Sequence, residues 1–159
     1  MKSAKLRVAF DLDDTLILPN SEFTEEISQY KLLTKIFKAE NLRLGTKEIF
    51  HFFEKENCER WIYTTSYRSV QYIKWLFLVH GIKLHGIVNQ EMHKKNVSLT
   101  ISKYPPAFTI DILIDDSKGV LMEGNQNNFQ VIQIDPNDLN WVEKIKRDYL
   151  RIKTEIHFD

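Results

Sequence analysis

The chain has 159 residues, of which 43% are hydrophobic and 12% aromatic, enough to build the core of one globular domain and to exclude wholesale disorder. Its 22 basic and 22 acidic residues cancel to a net charge of zero, which weighs against binding nucleic acid or an anionic membrane by bulk charge alone. The longest apolar run, residues 75–79, is too short to span a bilayer, and the single cysteine, Cys58, has no disulfide partner within the chain. These features predict a cytoplasmic protein that does not bind membranes.

Strand-like and helix-like segments alternate along the chain. This pattern predicts an α/β fold, a three-layer, Rossmann-like, doubly wound and mostly parallel five-stranded sheet. Five short runs rich in β-branched, aromatic or aliphatic residues are the predicted strands: 6–12, 60–65, 86–89, 110–114 and 129–134. Three helices are predicted between or after them: 46–56, a helix capped by Ser66 that runs to about residue 80, and a last helix over about 138–151.

Residues 19–44 do not fit the alternation. Their apolar side chains recur at helical spacing and predict a helix of about three turns. The residues concerned are Ile27, Tyr30, Leu33, Ile36 and Phe37. We interpret the segment as a small helical insertion after the first strand and as the one candidate for a cap or flap, within a single domain that spans residues 1–159.

Three aspartates, Asp11, Asp13 and Asp14, directly follow the apolar run 8–10. The carboxyl end of a buried strand is where open α/β sheets bind ligands. Carboxylates this close repel one another unless a cation neutralises them, and Mg²⁺ is a hard ion that prefers oxygen ligands. The cluster therefore predicts a magnesium site rather than a polar turn.

A second acidic pair, Asp115 and Asp116, follows the apolar run 112–114. If the two strands are neighbours in the sheet, both acidic groups converge on one spot. Bringing like charges together costs stability that a metal ion or protons would offset. Two such pairs, each after an apolar run, are hard to explain as turns.

Hydroxyl side chains end the second predicted strand, at Thr64, Thr65 and Ser66. Together with the free N–H groups at the start of a helix, they form an anion site suited to a phosphate. Arg68 either reaches the same anion or lies on the surface.

A phosphate site also needs a fixed cation, and the sequence offers several lysines. Lys103 lies in the segment SKYPP, where two prolines stiffen the approach to the fourth strand. Lys94 or Lys95, which follow the third strand, are the alternatives. Lys103 is the preferred candidate.

These motifs together resemble those of the haloacid dehalogenase (HAD) superfamily of phosphohydrolases. VAFDLDDTL matches its first motif, WIYTTS its second, and ILIDDS its fourth. The third motif is a single lysine, for which Lys103 is the choice. The short spacings between the motifs leave little room for a cap domain, so the resemblance is to capless or minimally capped members.

The resemblance implies an Mg²⁺-dependent phosphatase that acts on a phosphomonoester through an aspartyl-phosphate. Asp11 would be the nucleophile and Asp13 the acid/base that protonates the leaving group and then activates water. Thr64 and Lys103 would take part in catalysis and, with Thr65, bind the transferring phosphoryl group.

The same resemblance implies a ligand set for the metal. Asp11, the backbone carbonyl of Asp13, and Asp116 would hold Mg²⁺, and Asp115 would support it and pair with the lysine. The partner would be a phosphorylated substrate, either a small molecule or a macromolecule, and the sequence does not determine the oligomeric state.

Three other interpretations stay open. A receiver-type phosphoacceptor module also has an acidic Mg²⁺ pocket, but its acidic pair and its acceptor aspartate follow the first and third strands, whereas here the third strand ends at Asn89. A catalytically idle relative would serve as a binding module. A phosphatase for nucleic-acid ends would use a basic patch and three tryptophans: Lys144, Lys146, Arg147, Arg151 and Lys153, with Trp61, Trp75 and Trp141.

Overall fold

A computed structural model describes residues 5–19, 25–98 and 100–156 of the chain. Five parallel strands form one sheet in the order β3-β2-β1-β4-β5. The strands are β1 (Arg7–Phe10), β2 (Glu59–Tyr63), β3 (Gly86–Val88), β4 (Ile112–Asp115) and β5 (Gln130–Gln133). The chain winds from the central strand β1 to one edge and then returns to the other. The predicted doubly wound α/β fold is therefore confirmed, with each strand one to three residues shorter than its prediction.

Six α-helices and one short 3₁₀ helix connect or follow the strands among the described residues. The α-helices are α1 (Lys31–Ile36), α2 (Thr46–Lys55), α3 (Val70–Leu78), α4 (Gln90–Asn96), α5 (Lys118–Asn127) and α6 (Trp141–Ile156), and the 3₁₀ helix spans Pro105–Phe108. None of the helices in this part of the chain is long and apolar enough to cross a membrane.

Both faces of the sheet are covered, because alternate residues of each strand enter different cores. Val8 and Phe10 of β1 join a large core with α2, α3 and α6, where Phe10 stacks on Phe50 with ring centroids 4.7 Å apart. Ala9 and Leu113 point to the other face and join a smaller core with Val120 of α5. Burial on both faces explains why the central strands are continuously apolar.

The helix after β2 begins three residues later than predicted. Ser69, not Ser66, is its cap: the Ser69 side chain accepts a hydrogen bond from the Tyr72 N–H at 3.1 Å. The Ser66 N–H instead donates to the Thr64 Oγ1 at 3.1 Å, which forms a turn before the helix. The helix ends at Leu78, and the turn at Gly81 with φ of 75° closes it as predicted.

The insertion is less helical than predicted. Its one helix among the described residues is α1, with six residues, and apolar side chains on and around it are exposed: Ile27, Tyr30, Leu33, Ile36 and Phe37. Residues 20–24 of the insertion lie outside the described part of the chain. Contacts elsewhere attach the segment to the domain. Leu42 is completely buried, and the Ser28 hydroxyl donates to the Val79 carbonyl at 2.6 Å.

The sheet order brings the two acidic motifs together. Phe10 of β1 lies level with Ile114 of β4, and the Asp11 N–H donates to the Ile114 carbonyl at 2.9 Å. Asp11 and Asp115 therefore leave neighbouring strands at the same height. On the other side of β1, Phe10 lies level with Ile62 of β2, which places Thr64 at the same edge of the sheet.

Candidate active site

Three carboxylates converge at the carboxyl ends of β1 and β4. One oxygen from each of Asp11, Asp115 and Asp116 lies within 4.8 Å of the others. Asp11 and Asp115 are buried, whereas Asp116 is half-buried and accepts a hydrogen bond from the Thr15 hydroxyl at 3.3 Å. Such a set of oxygen donors is the kind that hard divalent cations bind.

The Lys103 side chain enters this cluster. Its Nζ lies 2.7 Å from Asp11 Oδ1 and 2.6 Å from Asp115 Oδ2. Lys103 is only 2% exposed. Lysines are rarely buried to this extent unless carboxylates pair with them, as Asp11 and Asp115 do here. Lys94 and Lys95, the alternative candidates, are exposed on α4. Of the three lysines, Lys103 is the one that the fold brings to the carboxylates.

The electrostatics of the cluster show an excess of negative charge. Burial raises the pKa of Asp11, and the Asp115 carboxylate adds to this although the charge of Lys103 opposes it. Burial alone would lower the pKa of Lys103, but Asp11 and Asp115 outweigh it and the pKa is raised. Burial and the charge of Asp115 also raise the pKa of Asp116. Burial is thus the main cause of the raised pKa values of the two carboxyl groups, and the charge of Asp115 adds to both.

The donor set fits a divalent cation. Three ionised carboxylates and Lys103 carry a formal charge of −3 + 1 = −2, which one Mg²⁺ would neutralise. Both carboxylate oxygens of Asp115 already accept hydrogen bonds. Its Oδ2 accepts from Lys103 and its Oδ1 accepts from the Ser117 N–H at 2.9 Å. Asp11 and Asp116 are therefore the better ligand candidates, with Asp115 as support.

The segment that carries Lys103 is fixed on both sides. The Ser102 N–H and hydroxyl both donate to the Glu123 carboxylate, at 2.9–3.2 Å. The Tyr104 N–H donates to the Tyr63 hydroxyl at 2.9 Å, and the Tyr63 oxygen lies 2.6 Å from His93 Nδ1. Burial raises the pKa of Tyr63 to about 12 and lowers the pKa of His93, which favours the neutral form of both side chains. The long lysine side chain thus starts from a rigid backbone.

Asp13 occupies a different position from the three clustered aspartates. The chain turns directly after β1: the Leu12 carbonyl accepts from the N–H groups of Leu16 and Ile17, and Asp14 has φ of 60°. The Asp13 carboxylate is about half exposed and faces Arg68, whose Nη1 and Nη2 donate to its two oxygens at 2.9 and 2.8 Å. The carboxylate is thus outside the metal-ligand set, and the predicted ligand at Asp13 is its backbone carbonyl.

The hydroxyl groups after β2 are placed at the same edge of the sheet. Thr64 is completely buried, its N–H donates to the Val88 carbonyl at 2.9 Å, and its Oγ1 accepts from the Ser66 N–H. Thr65 is exposed. The side-chain oxygen of Ser66 is buried and has no hydrogen-bond partner among the described residues. Two of the predicted phosphate-binding residues, Thr64 and Thr65, thus follow β2, which flanks β1 on the side opposite β4.

The sequence does not predict where two residues of the site lie. The sequence leaves open whether Arg68 reaches an anion or lies on the surface, and it predicts no role for Glu40. Arg68 contacts both Asp13 and Glu40, and Glu40 Oε2 also accepts from the Tyr72 hydroxyl at 3.0 Å. The hydrogen bonds of Arg68 and Tyr72 hold the pKa of Glu40 below its usual value, although burial opposes them. No local pattern indicates these contacts, because the partners are 28 or more residues apart.

A cavity of about 500 Å³ opens beside Asp13. Asp13, Arg68 and Glu40 form part of its wall, and residues 17–19 form an apolar part. The remaining wall residues include two further carboxylates, Asp14 and Glu25. The cavity has the size of a small-molecule site.

Comparisons with known proteins support the fold. No protein-family model matches the chain, and no curated protein matches it in sequence. Among solved structures, the chain is similar to one described as a predicted HAD-like family hydrolase from Porphyromonas gingivalis, with a TM-score of 0.50 and 13% identity. The match covers 92% of this chain and 98% of that one. A likeness at this identity supports a HAD-like fold and does not indicate the activity.

Proposed function

We propose that the protein is an Mg²⁺-dependent phosphatase that hydrolyses a phosphomonoester through an aspartyl-phosphate. The observation that carries the proposal is the convergence of Asp11, Asp115 and Asp116 around the buried Lys103. A metal-neutralised carboxylate beside a fixed ammonium group is suited to attack an anionic phosphoryl group.

In the first step, a carboxylate oxygen of Asp11 bonds to phosphorus while the bond from phosphorus to the leaving oxygen breaks. Asp13, as the carboxylic acid, gives its proton to that leaving oxygen. In the second step a water attacks the phosphorus of the aspartyl-phosphate, Asp13 takes the water proton, and Asp11 is released as a carboxylate. Lys103 and Thr64 would hold the phosphoryl oxygens during both steps.

When bound, Mg²⁺ would supply positive charge that lowers the repulsion between Asp11 and the anionic substrate. Asp11 and Asp116, with the backbone carbonyl of Asp13, would hold it, supported by Asp115. This chain's own contribution is to fix the direction of the Asp11 carboxyl group and to oppose the effect of burial, which favours its uncharged form. Lys103 does so by pairing with Asp11 and Asp115.

The test is a panel of phosphomonoesters with Mg²⁺, comparing the wild type with Asp11→Asn. The amide has almost the shape of the carboxylate but cannot form the phosphoenzyme, so we expect turnover to fall to the background rate. Lys118→Ala, a change at an exposed lysine two residues from Asp116, serves as the control and should leave turnover nearly intact. Equal activity of the wild type and Asp11→Asn would remove Asp11 as the nucleophile.

Two alternatives from the sequence have less support. The receiver-type module requires an acceptor aspartate after the third strand, but Asn89 is there and caps α4 through its side chain. A catalytically idle binding module would retain Mg²⁺ without turning over any ester, and the panel separates it from an enzyme.

Binding of nucleic-acid ends has no specific contact in its favour. Four of the five cations in the basic patch pair with carboxylates of the same chain: Lys144, Lys146, Arg147 and Lys153. Trp141 is 3% exposed and packs in the core, so it cannot stack on a base.

A further inference from the structure

Arg68 joins Asp13 to the insertion through four hydrogen bonds. Its Nη1 and Nη2 donate to the two oxygens of Asp13 at 2.9 and 2.8 Å, and its Nε and Nη2 donate to those of Glu40 at 2.8 and 2.6 Å. The planar guanidinium of Arg68 therefore binds two carboxylates, those of Asp13 and Glu40, along two of its edges. A guanidinium that donates two hydrogen bonds to one carboxylate fixes the orientation of that carboxylate as well as supplying a positive charge. A lysine would supply only the charge.

The arginine is itself held in place. Tyr72 donates its hydroxyl proton to Glu40 at 3.0 Å, and the buried Asn89 donates from Nδ2 to the Arg68 carbonyl at 3.1 Å. The Arg68 side chain is 21% exposed, compared with 51% for Asp13. In the described part of the chain, the hydrogen bonds to the Asp13 carboxylate come from Arg68 alone. Arg68 thus sets the orientation of a carboxylate that would otherwise rotate in solvent.

We propose that Arg68, held by Glu40, is a positioning residue that aims the Asp13 carboxyl at the leaving group of the substrate. This inference rests on the proposed function. Asp13, Arg68 and Glu40 line the cavity of about 500 Å³ beside the site, which is where the leaving group would lie. Each carboxylate oxygen has two lone pairs, so the two hydrogen bonds from Arg68 leave a lone pair on Asp13 that can carry the transferred proton.

The proton transfer explains how the arrangement would act. When Asp13 gives its proton to the leaving oxygen, it becomes a carboxylate, and the charge of Arg68 stabilises that form. The same carboxylate then takes a proton from water in the second step. An alkoxide leaving group is strongly basic and needs the proton as the bond to phosphorus breaks, whereas an aryl leaving group such as p-nitrophenolate departs without it.

The experiment measures kcat/KM for p-nitrophenyl phosphate and for glycerol phosphate, an alkyl ester. With Arg68→Gln we expect kcat/KM for the alkyl ester to fall roughly 10- to 100-fold, and that for the aryl ester less than about 3-fold. The ratio of the two is the readout, because a merely structural defect lowers both by the same factor. Asp13→Asn should change the ratio in the same direction, and the double variant should lose no more than Asp13→Asn alone.

Two further variants keep the test decisive. Arg151→Gln makes the same change at an exposed arginine on α6 and should leave both rates unchanged. If Arg68→Gln does not fold, Glu40→Gln removes only the support of the arginine, and we expect a smaller rise in the aryl-to-alkyl ratio. An equal loss on both esters, or an additive loss in the double variant, overturns the role of Arg68 while the phosphatase stands. A wild type inactive on both esters overturns the phosphatase itself and the inference with it.

Discussion

The ammonium group of Lys103 lies between Asp11 and Asp115 at 2.6–2.7 Å from each, with almost no contact to solvent. Removal of one partner from a buried ion pair leaves an uncompensated charge, and this costs far more than the loss of a surface pair. The stability of the fold is therefore linked to the residue proposed to bind phosphate.

In metal-free buffer, Lys103→Met is expected to lower the free energy of unfolding by about 3 kcal/mol, because Asp11 and Asp115 stay buried without their cation. Urea denaturation followed by circular dichroism measures the change. The matched control is Lys118→Met, at an exposed position, with an effect within about 0.5 kcal/mol. A loss no larger than that of the control would mean that the ion pairs contribute little.

Sequence reasoning works at this scale where chemistry restricts the residue type. An aspartate cluster after an apolar strand is unusual enough to mark a site, so Asp11, Asp115 and Asp116 could be named in advance. The convergence of Arg68 with Glu40 could not, because it depends on the path of a loop and of an insertion. The same limit explains why Lys103 could be preferred but not chosen with certainty over Lys94.

Individual elements show where local patterns mislead. Apolar residues at helical spacing occur both on buried helix faces and on the exposed α1, so the periodicity of 27–37 does not reveal whether a partner is present. The sequence pattern does not predict helix α5, for the opposite reason. Its sequence KGVLMEGNQN contains two glycines and two asparagines, which weaken an isolated helix, but it packs on β5, and Gly124 permits this because a Cβ there would lie 2.8 Å from the Val131 side chain.

The insertion offers a comparison between two leucines of one segment. Leu42 is completely buried and Leu32 is 71% exposed. We expect Leu42→Ala to lower the free energy of unfolding by about 2–5 kcal/mol, and Leu32→Ala to change it by less than about 0.5 kcal/mol. Chemical denaturation of both variants measures the difference. Equal effects would show that residues around 42 do not anchor the insertion.

At the scale of the whole molecule, the alternation of strands and helices was sufficient to predict the sheet. Parallel strands need crossover connections, and right-handed crossovers restrict the order of strands to a few arrangements. The observed order places β1 between β2 and β4, so that the ends of three strands that carry motifs meet at one edge. The side chains of 17–19 and Glu25 that shape the cavity follow from irregular segments, and for these the sequence provides no rule.

A ligand that binds only the folded protein stabilises it, by about 2.7 kcal/mol when its concentration is 100 times the dissociation constant. We therefore expect MgCl2 to raise the melting temperature of the wild type in differential scanning calorimetry. Asp116→Asn should lose this rise because it removes one of the clustered oxygens.

The matched control is Asp14→Asn, which removes a nearby charge outside the cluster at a residue with φ of 60°, a backbone conformation that asparagine tolerates. It should keep the rise in melting temperature. If both variants lose it, the effect comes from general charge screening rather than from a site.

The neighbouring positions of β1 and β4 have a consequence for the order of events during synthesis. Asp11 leaves the ribosome about a hundred residues before Asp115 and Asp116, so the oxygens that would chelate an ion come together only after most of the chain is made. An ion bound at this cluster would therefore not guide the early stages of folding. Its binding energy would become available only when β4 docks beside β1 and completes the cluster.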